Sequence, residues 1–261
     1  MQNNQNSAIK ASFTLYFCKE IYFKMTKLSV NINKIATLRN ARGGNVPDLL
    51  QVAKDVQKFG AHGVTVHPRP DERHIRYQDA RDLTSVVYTE YNIEGNPQHN
   101  FIDLVLECKP TQVTLVPDAI GALTSNAGWD TIKNQTYLKE VIDEFKRNNI
   151  RTSIFVDPIE AMVEGAKETG TDRIELYTES FAHEYGLGNR KGIEPYIKAA
   201  IKANELDLGI NAGHDLSLDN IKFFKENIPG LLEVSIGHAL ISEAIYLGLE
   251  NVVNMYLQRL K

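Results

Sequence analysis

LSVNINKIATLRNARGGNVPDLLQVAKDVQKFGAHGVTVHPRP, residues 28–70, decides the fold. The stretch opens on a short β-rich run, LSVNI (28–32), crosses an amphipathic segment over 47–59, and closes on a second β-rich run, GVTVH (63–67). Strand, helix, strand at this spacing predicts a parallel pair joined by a crossover helix. Pro47 fits the first helical position, where its missing N–H costs nothing. Gly60 fits the residue just past the helix end.

The same alternation continues to the end of the chain. YNIEG (91–95), QVTLV (112–116), RTSIFV (151–156), RIELYT (173–178), LGINA (208–212) and LEVSI (232–236) read as further strands. Helical patterns separate them over 78–89, 98–108, 131–148, 158–169, 191–204, 217–227 and 239–259. Gly170 follows the fifth helix as Gly60 follows the first, and Ser217 and Asp219 suit the start of the seventh. Eight βα units most simply close into a barrel, so the expected class is α/β, a TIM (β/α)8 barrel. An open doubly wound sheet has fewer strands and a glycine fingerprint after the first. No GxGxxG occurs here.

No repeat or low-complexity linker divides the chain. Residues 27–261 read as a single catalytic barrel domain, and residues 1–26 as an extension outside the core. Met25, followed by TKLSVNINK, is a natural start for the barrel. With 43% hydrophobic and 24% charged residues the composition is globular. A formal net charge of −4 gives no basic field for nucleic acid. No apolar run is long enough to span a membrane. Cys18 and Cys108 make neither a disulfide framework nor a CxxC pair, which fits a reducing cytoplasm.

In such a barrel the reactive groups stand at the C-terminal ends of the strands. Asn31, Asn33, Lys34, Arg39 and Arg42 follow the first strand; His67, Arg69, Arg73 and His74 end or follow the second. Glu94 is on the third, Glu175 and Tyr177 on the sixth, Asn211, Gly213 and His214 at the seventh, and Gly237 and His238 after the eighth. Strand side chains alternate with period two. Asn31 shares parity with Ser29, His67 with Thr65, Glu94 with Asn92, and Glu175 with Arg173 and Tyr177, while Val30, Val64, Val66, Ile93, Ile174 and Leu176 share the other. The apolar set is expected to face the helices and the polar set the barrel axis. Ionisable groups lining an interior are costly unless they pair or bind a ligand. NAGHD (211–215) and GHA (237–239) are glycine-bearing turns where barrels hold phosphate. Arg42, Arg69 and His74 can complete a second anion site. HPRPDERH (67–74) matches no zinc spacing, so no metal is expected. His62, His99 and His183, the last in a polar loop, read as bland. The loop PDAIGALTSNAGWD (117–130) has the length and glycine content of a lid.

Several long motifs occur in order: VNINKIATLRNARGG (30–44), GVTVHPRPDERHI (63–75), NIEGN (92–96), TLVPD (114–118), IELYT (174–178), NAGHDL (211–216) and IGHALI (236–241). Together they resemble the pyridoxine 5′-phosphate synthase family over about residues 28–258. The resemblance implies a TIM barrel with added helices, assembled as a homo-octamer, a tetramer of dimers. It implies condensation of 1-deoxy-D-xylulose 5-phosphate with 3-amino-2-oxopropyl phosphate to pyridoxine 5′-phosphate, phosphate and water, with no metal or organic cofactor. On the matching positions His67 and Glu94 are implied as general acid/base groups, His214 as proton donor and Glu175 as an acid assisting the transition state. Asn31, Asn33, Lys34, Arg42, Arg69, His74, Thr124, Asp215, Gly237 and His238 are implied as substrate-binding. Two positions depart from the family pattern: Asn33-Lys34 stands where Asp-His is usual, and Asp215 where glycine is expected. A carboxylate beside a phosphate repels it, so Asp215 is expected to act through its backbone N–H. Two other readings compete: another sugar-phosphate barrel enzyme, an aldolase or isomerase, for which Lys34 is the one available strand-end lysine, and a non-catalytic phosphate-ligand sensor.

Overall fold

The computed structural model describes residues 25–118 and 127–261. All eight strands pair in parallel and in chain order, and the last closes on the first: β1 Lys27–Asn31, β2 Gly63–Val66, β3 Glu90–Gly95, β4 Gln112–Leu115, β5 Arg151–Val156, β6 Arg173–Leu176, β7 Gly209–Ala212 and β8 Leu231–Ile236. Each lies within a residue or two of its expected place. The TIM barrel is therefore the fold of this chain.

The outer ring follows from helical periodicity. On α2 (Leu49–Lys58), Leu49, Ala53 and Val56 recur on one face and are buried. On α5 (Gln135–Arg147), Leu138, Val141, Ile142 and Phe145 do the same. These stripes meet the outward sheet face, where Leu28, Val30, Val64, Val66, Ile93, Ile154, Ile174, Ile210 and Val234 are fully buried. Each large aliphatic or aromatic side chain buried this way stabilises the fold by roughly 1.5–3 kcal/mol. The other outer helices are α3 (Tyr77–Leu83), α4 (His99–Cys108), α6 (Glu160–Glu168), α8 (Glu194–Glu205), α9 (Ile221–Asn227), α10 (His238–Leu247) and α11 (Leu249–Arg259).

Several expectations need correction. Pro47 lies outside α2, whose N-cap is Asp48; the Asp48 side chain accepts the Gln51 N–H at 3.1 Å. Ser217 and Asp219 precede α9 in a turn where Asn220 Oδ1 accepts the Ser217 N–H at 2.9 Å. The expected helix over 239–259 is two helices, because Gly248 adopts φ +81° and breaks the path. Two added helices stand where loops were expected: α1 (Asn33–Asn40) after β1, and α7 (Glu179–Gly186), which carries His183. Gly60 and Gly170 do sit just past α2 and α6, with φ of +102° and +81°.

The barrel interior departs from the branched aliphatic filling usual for this fold. Alternate strands contribute to alternate layers. From the N-terminal end, the register stacks Lys27, Glu90 and Arg151; then Gln112, Arg173 and Glu233; then Ser29, Asn92, Ser153 and Asn211; then Thr65, Thr114, Glu175 and Ser235. Asn31, Glu94 and Phe155 lie above these. Hydrogen bonds connect the layers: Ser29 with Thr65 at 2.7 Å, Thr114 to Asn92 at 3.1 Å, and Arg151 to Gln112 at 2.9 Å. Glu90 takes both Lys27 and Arg151 at the closed end. The polar parity set thus faces the axis, as its alternation predicts.

Candidate active site

The open end of this column gathers the ionisable groups. Asn31 ends β1, and its Nδ2 donates to Glu94 Oε2 on β3 at 3.4 Å. Asn31 Oδ1 accepts the Asn33 N–H at 3.0 Å, and Asn33 Oδ1 accepts the His67 N–H at 2.9 Å. This chain of bonds fixes the backbone at His67. The buried His67 ring lies between two carboxylates, with Nδ1 3.9 Å from Glu94 Oε2 and Nε2 3.7 Å from Asp118 Oδ2. Arg69 donates to the same Asp118 oxygen at 2.7 Å. His74 stands edge-on to His67, with ring centroids 6.3 Å apart, and its Nδ1 accepts the Ile75 N–H at 2.9 Å.

Helix α1 holds this rim together. Arg39 makes two bonds to Asp79, at 2.7 and 2.8 Å, and donates to the His74 carbonyl at 3.2 Å. Asn40 donates to the same carbonyl at 2.8 Å. Arg39 is therefore a buried tie between α1 and the loop after β2. Lys34 and Arg42 are exposed on and just past α1.

Across the mouth, His214 follows β7. Its Nδ1 lies 2.7 Å from Asp215 Oδ2, and its ring packs edge-on against Tyr177 with centroids 5.7 Å apart. The Asp215 N–H donates to Thr178 Oγ1 at 3.3 Å. Asp215 is thus engaged through both side chain and backbone, with its carboxylate turned onto the neighbouring imidazole. The Gly213 backbone passes so close to β8 that a Cβ would stand 2.0 Å from the Ser235 carbonyl oxygen, so only glycine fits. Gly237 packs against Asn31 and leads into α10, whose first residue, His238, is exposed.

Electrostatics separate these groups by role. Burial, then the nearby Arg69, His74 and His214, holds the His67 imidazole well below its ordinary value, so it is neutral at pH 7. Burial and Arg69 bring His74 down to about 4, with Lys34 and Arg73 acting the same way. Burial, followed by the Glu175 and Asp118 charges, pushes the Glu94 carboxyl well up. Burial and Glu233 push Glu175 up to about 7. Burial works against protonation of His214, but the Asp215 hydrogen bond and charge, with Glu175 and Asp118, overcome it and raise the imidazole. Groups pushed in opposite directions within one cleft are the usual mark of acid/base work.

The structure therefore brings Asn31, Asn33, His67, Arg69, His74, Glu94, Glu175, His214, Asp215 and Gly237 to one end of the barrel. Thr124, residues 1–24 with Cys18, and positions 119–126 of the expected lid lie outside the described residues. Asp118 was absent from the expected set. Its parity gives it away, since Gln112, Thr114, Val116 and Asp118 form one inward series running past the end of β4. His62, expected to be bland, accepts the Leu28 N–H at 3.1 Å and ties two strands. Among the described residues no group of three or more His, Cys, Asp or Glu side chains is placed to hold a metal ion.

A family model described as "Pyridoxal phosphate biosynthesis protein PdxJ" matches residues 28–261. Pyridoxine 5′-phosphate synthase of Flavobacterium johnsoniae is 83% identical over 237 residues, 91% of this chain and 100% of that protein. The protein of the same name from Christiangramia forsetii is 69% identical over the same shares. Among solved structures, a phosphoribosylanthranilate isomerase of Thermotoga maritima in monomeric form superposes with a TM-score of 0.59 at 14% identity, covering 90% of this chain and 98% of that one. A tryptophan synthase chain of M. tuberculosis gives 0.61 at 10% identity, covering 92% and 95%. At such identities the two structures share the barrel alone.

Proposed function

Since the chain belongs to the PdxJ family of pyridoxine 5′-phosphate synthases, we propose that its barrel mouth condenses 1-deoxy-D-xylulose 5-phosphate with 3-amino-2-oxopropyl phosphate. The products are pyridoxine 5′-phosphate, phosphate and water. The observation that carries the residue assignment is the facing of a neutral imidazole, His67, and a buried carboxyl of raised proton affinity, Glu94, across 3.9 Å, opposite the His214–Asp215 pair.

The chemistry divides along those lines. Attack of the amine on the ketone, with loss of water, forms a Schiff base between the two substrates. Neutral His67 accepts and returns protons during that step. Loss of phosphate and ring closure require a proton to leave carbon, and Glu94, a stronger base for its burial, takes it. His214, biased toward imidazolium by Asp215, and Glu175 donate to departing oxygen. Each positioned acid or base contributes roughly 10²–10⁴-fold. Holding both substrates in one mouth makes the ring closure intramolecular. Arg69 and His74 on one side, and the backbone N–H groups of Gly237 and His238 at the start of α10 on the other, supply two anion handles. Arg42 and Lys34 at the rim, with Asn31 and Asn33, add further substrate contacts.

The reading extends to the setting. We place the chain in the cytoplasm as a transferase-type enzyme; no helix among the described residues is long and apolar enough to cross a membrane. We place it in a homo-oligomer, supported by the exposed Ile245 and Tyr246 of α10, 77% and 89% accessible, and by exposed Leu38 and Val46.

Borohydride added during turnover tests the reaction type. The imine here lies between two substrates, so reduction yields a small-molecule secondary amine and an unmodified protein mass. A covalent adduct on a lysine would establish an aldolase-type mechanism instead. The His214–Asp215 pair makes a second prediction. The raised imidazole is protonated below its folded value and loses its proton as pH rises through it. Removing the carboxylate lowers that value. Asp215→Asn therefore moves the alkaline limb of the kcat profile to lower pH, with about a tenfold loss at pH 8 that recovers on acidification. A profile that falls uniformly, with no shift, would remove Asp215 from that role.

A further inference from the structure

The mouth stands on a polar column whose lower members take no part in the mechanism above. Arg173 lies one inward position before Glu175 on β6. Its guanidinium nitrogen donates to Asn211 Oδ1 at 3.1 Å and to Glu233 Oε2 at 3.2 Å. Asn211 is the register partner of Glu175 on β7, and Glu233 is the partner of Asn211 on β8. The ion pair thus lies beneath Glu175, two layers down for Glu233, with Asn211 in the layer between. Glu175, Asn211 and Glu233 are 4%, 2% and 3% exposed.

From the geometry we propose that the Arg173–Glu233 pair is the positioning element for Glu175: the Glu233 anion beneath it holds Glu175 in its protonated, donor form, and Arg173 holds Glu233 ionised. The inference rests on the reading of Glu175 as an acid in the mouth. Three observations carry it. An ionised carboxylate needs donors or a cation, yet Glu175 Oε2 has no hydrogen-bond partner among the described residues. Two hydroxyls of the stack, Ser235 Oγ in its own layer and Ser153 Oγ in the layer below, also have none there. The one cation on the same strand, Arg173, is directed at Asn211 and Glu233.

The pair also needs an explanation other than stability. A buried ion pair is often no more stabilising than apolar side chains of the same volume, and this fold ordinarily fills its interior with such residues. The groups facing Glu175 are Glu233 and Arg173 below, Glu94 above and across the axis, and His214 from the loop after β7. Burial and then Glu233 push the carboxyl up, while His214 acts in the opposite sense. Burial also raises Glu233, and the Glu90 charge acts the same way; Arg173 first, then Arg151 and Lys27, oppose that rise.

The test is a direct titration of Glu175 in the full-length protein. Glutamate labelled with ¹³C at the side-chain carboxyl gives one resonance that disappears in Glu175→Gln, which assigns it. Its midpoint is then followed in Glu233→Gln and in the charge-free double variant Arg173→Gln/Glu233→Gln, both checked for native melting. Loss of the anion lowers the midpoint by about 1 pH unit in each. An unchanged midpoint in either folded variant overturns the proposal. The kcat profile separates the two claims. A midpoint that falls while the alkaline limb stays in place supports the pair's effect and removes Glu175 from proton donation.

Discussion

Glu94→Gln lowers turnover by at least ~10²-fold and leaves the barrel folded. The amide is isosteric with the carboxyl and can still accept the Asn31 Nδ2–H bond, made at 3.4 Å in the parent protein. It cannot take a proton from carbon. The loss therefore falls on kcat and kcat/KM together, the pattern of an interaction made in the transition state. Thermal melting distinguishes this from misfolding, because the amide cannot ionise and so carries neither the burial cost nor the carboxylate repulsion that an ionised Glu94 meets, and the melting temperature is expected to be equal or higher. Near-parent turnover in the folded variant would exclude Glu94 as the base.

His67→Asn has an effect of the same order, at least ~10²-fold, for a different reason. An imidazole nitrogen can accept a proton and give it back, and the environment of His67 keeps the ring neutral and ready to accept. Asparagine keeps a polar side chain of similar reach, and the backbone bond from His67 N–H to Asn33 Oδ1 does not depend on the side chain. Proton shuttling through this position is lost while the end of β2 stays in place. Added imidazole restoring part of the rate would identify the missing function as proton transfer. A variant that turns over like the parent would leave His67 as a spacer between Glu94 and Asp118.

How much of this was legible beforehand depended on which physical signal a residue carried. The eight strands stand out because β-rich runs recur between amphipathic segments. Parity told inside from outside, since a strand with Val64 and Val66 on one face must put Thr65 and His67 on the other. The same parity runs past the end of β4, through Val116, to Asp118. Helix α1 escaped because its buried face carries Arg39, paired to Asp79, where an apolar residue was expected. Helix α7 escaped because it buries only Phe181. The break at Gly248 is invisible to periodicity, because both α10 and α11 keep apolar stripes on either side of it. Pairing is the feature least open to sequence. That Asp215 turns onto His214, or that Arg173 reaches Glu233 across two strands, depends on backbone direction and barrel register, which no local spacing reports.

The central claim is that one polar barrel mouth joins two phosphorylated substrates and ejects one phosphate. Protein stripped of metal, given 1-deoxy-D-xylulose 5-phosphate and 3-amino-2-oxopropyl phosphate, is followed for pyridoxine 5′-phosphate and inorganic phosphate in the same sample. The account predicts that both appear in equal amounts and at equal rates, without added metal. Folded protein that releases neither would contradict it and return this barrel to the wider set of sugar-phosphate enzymes.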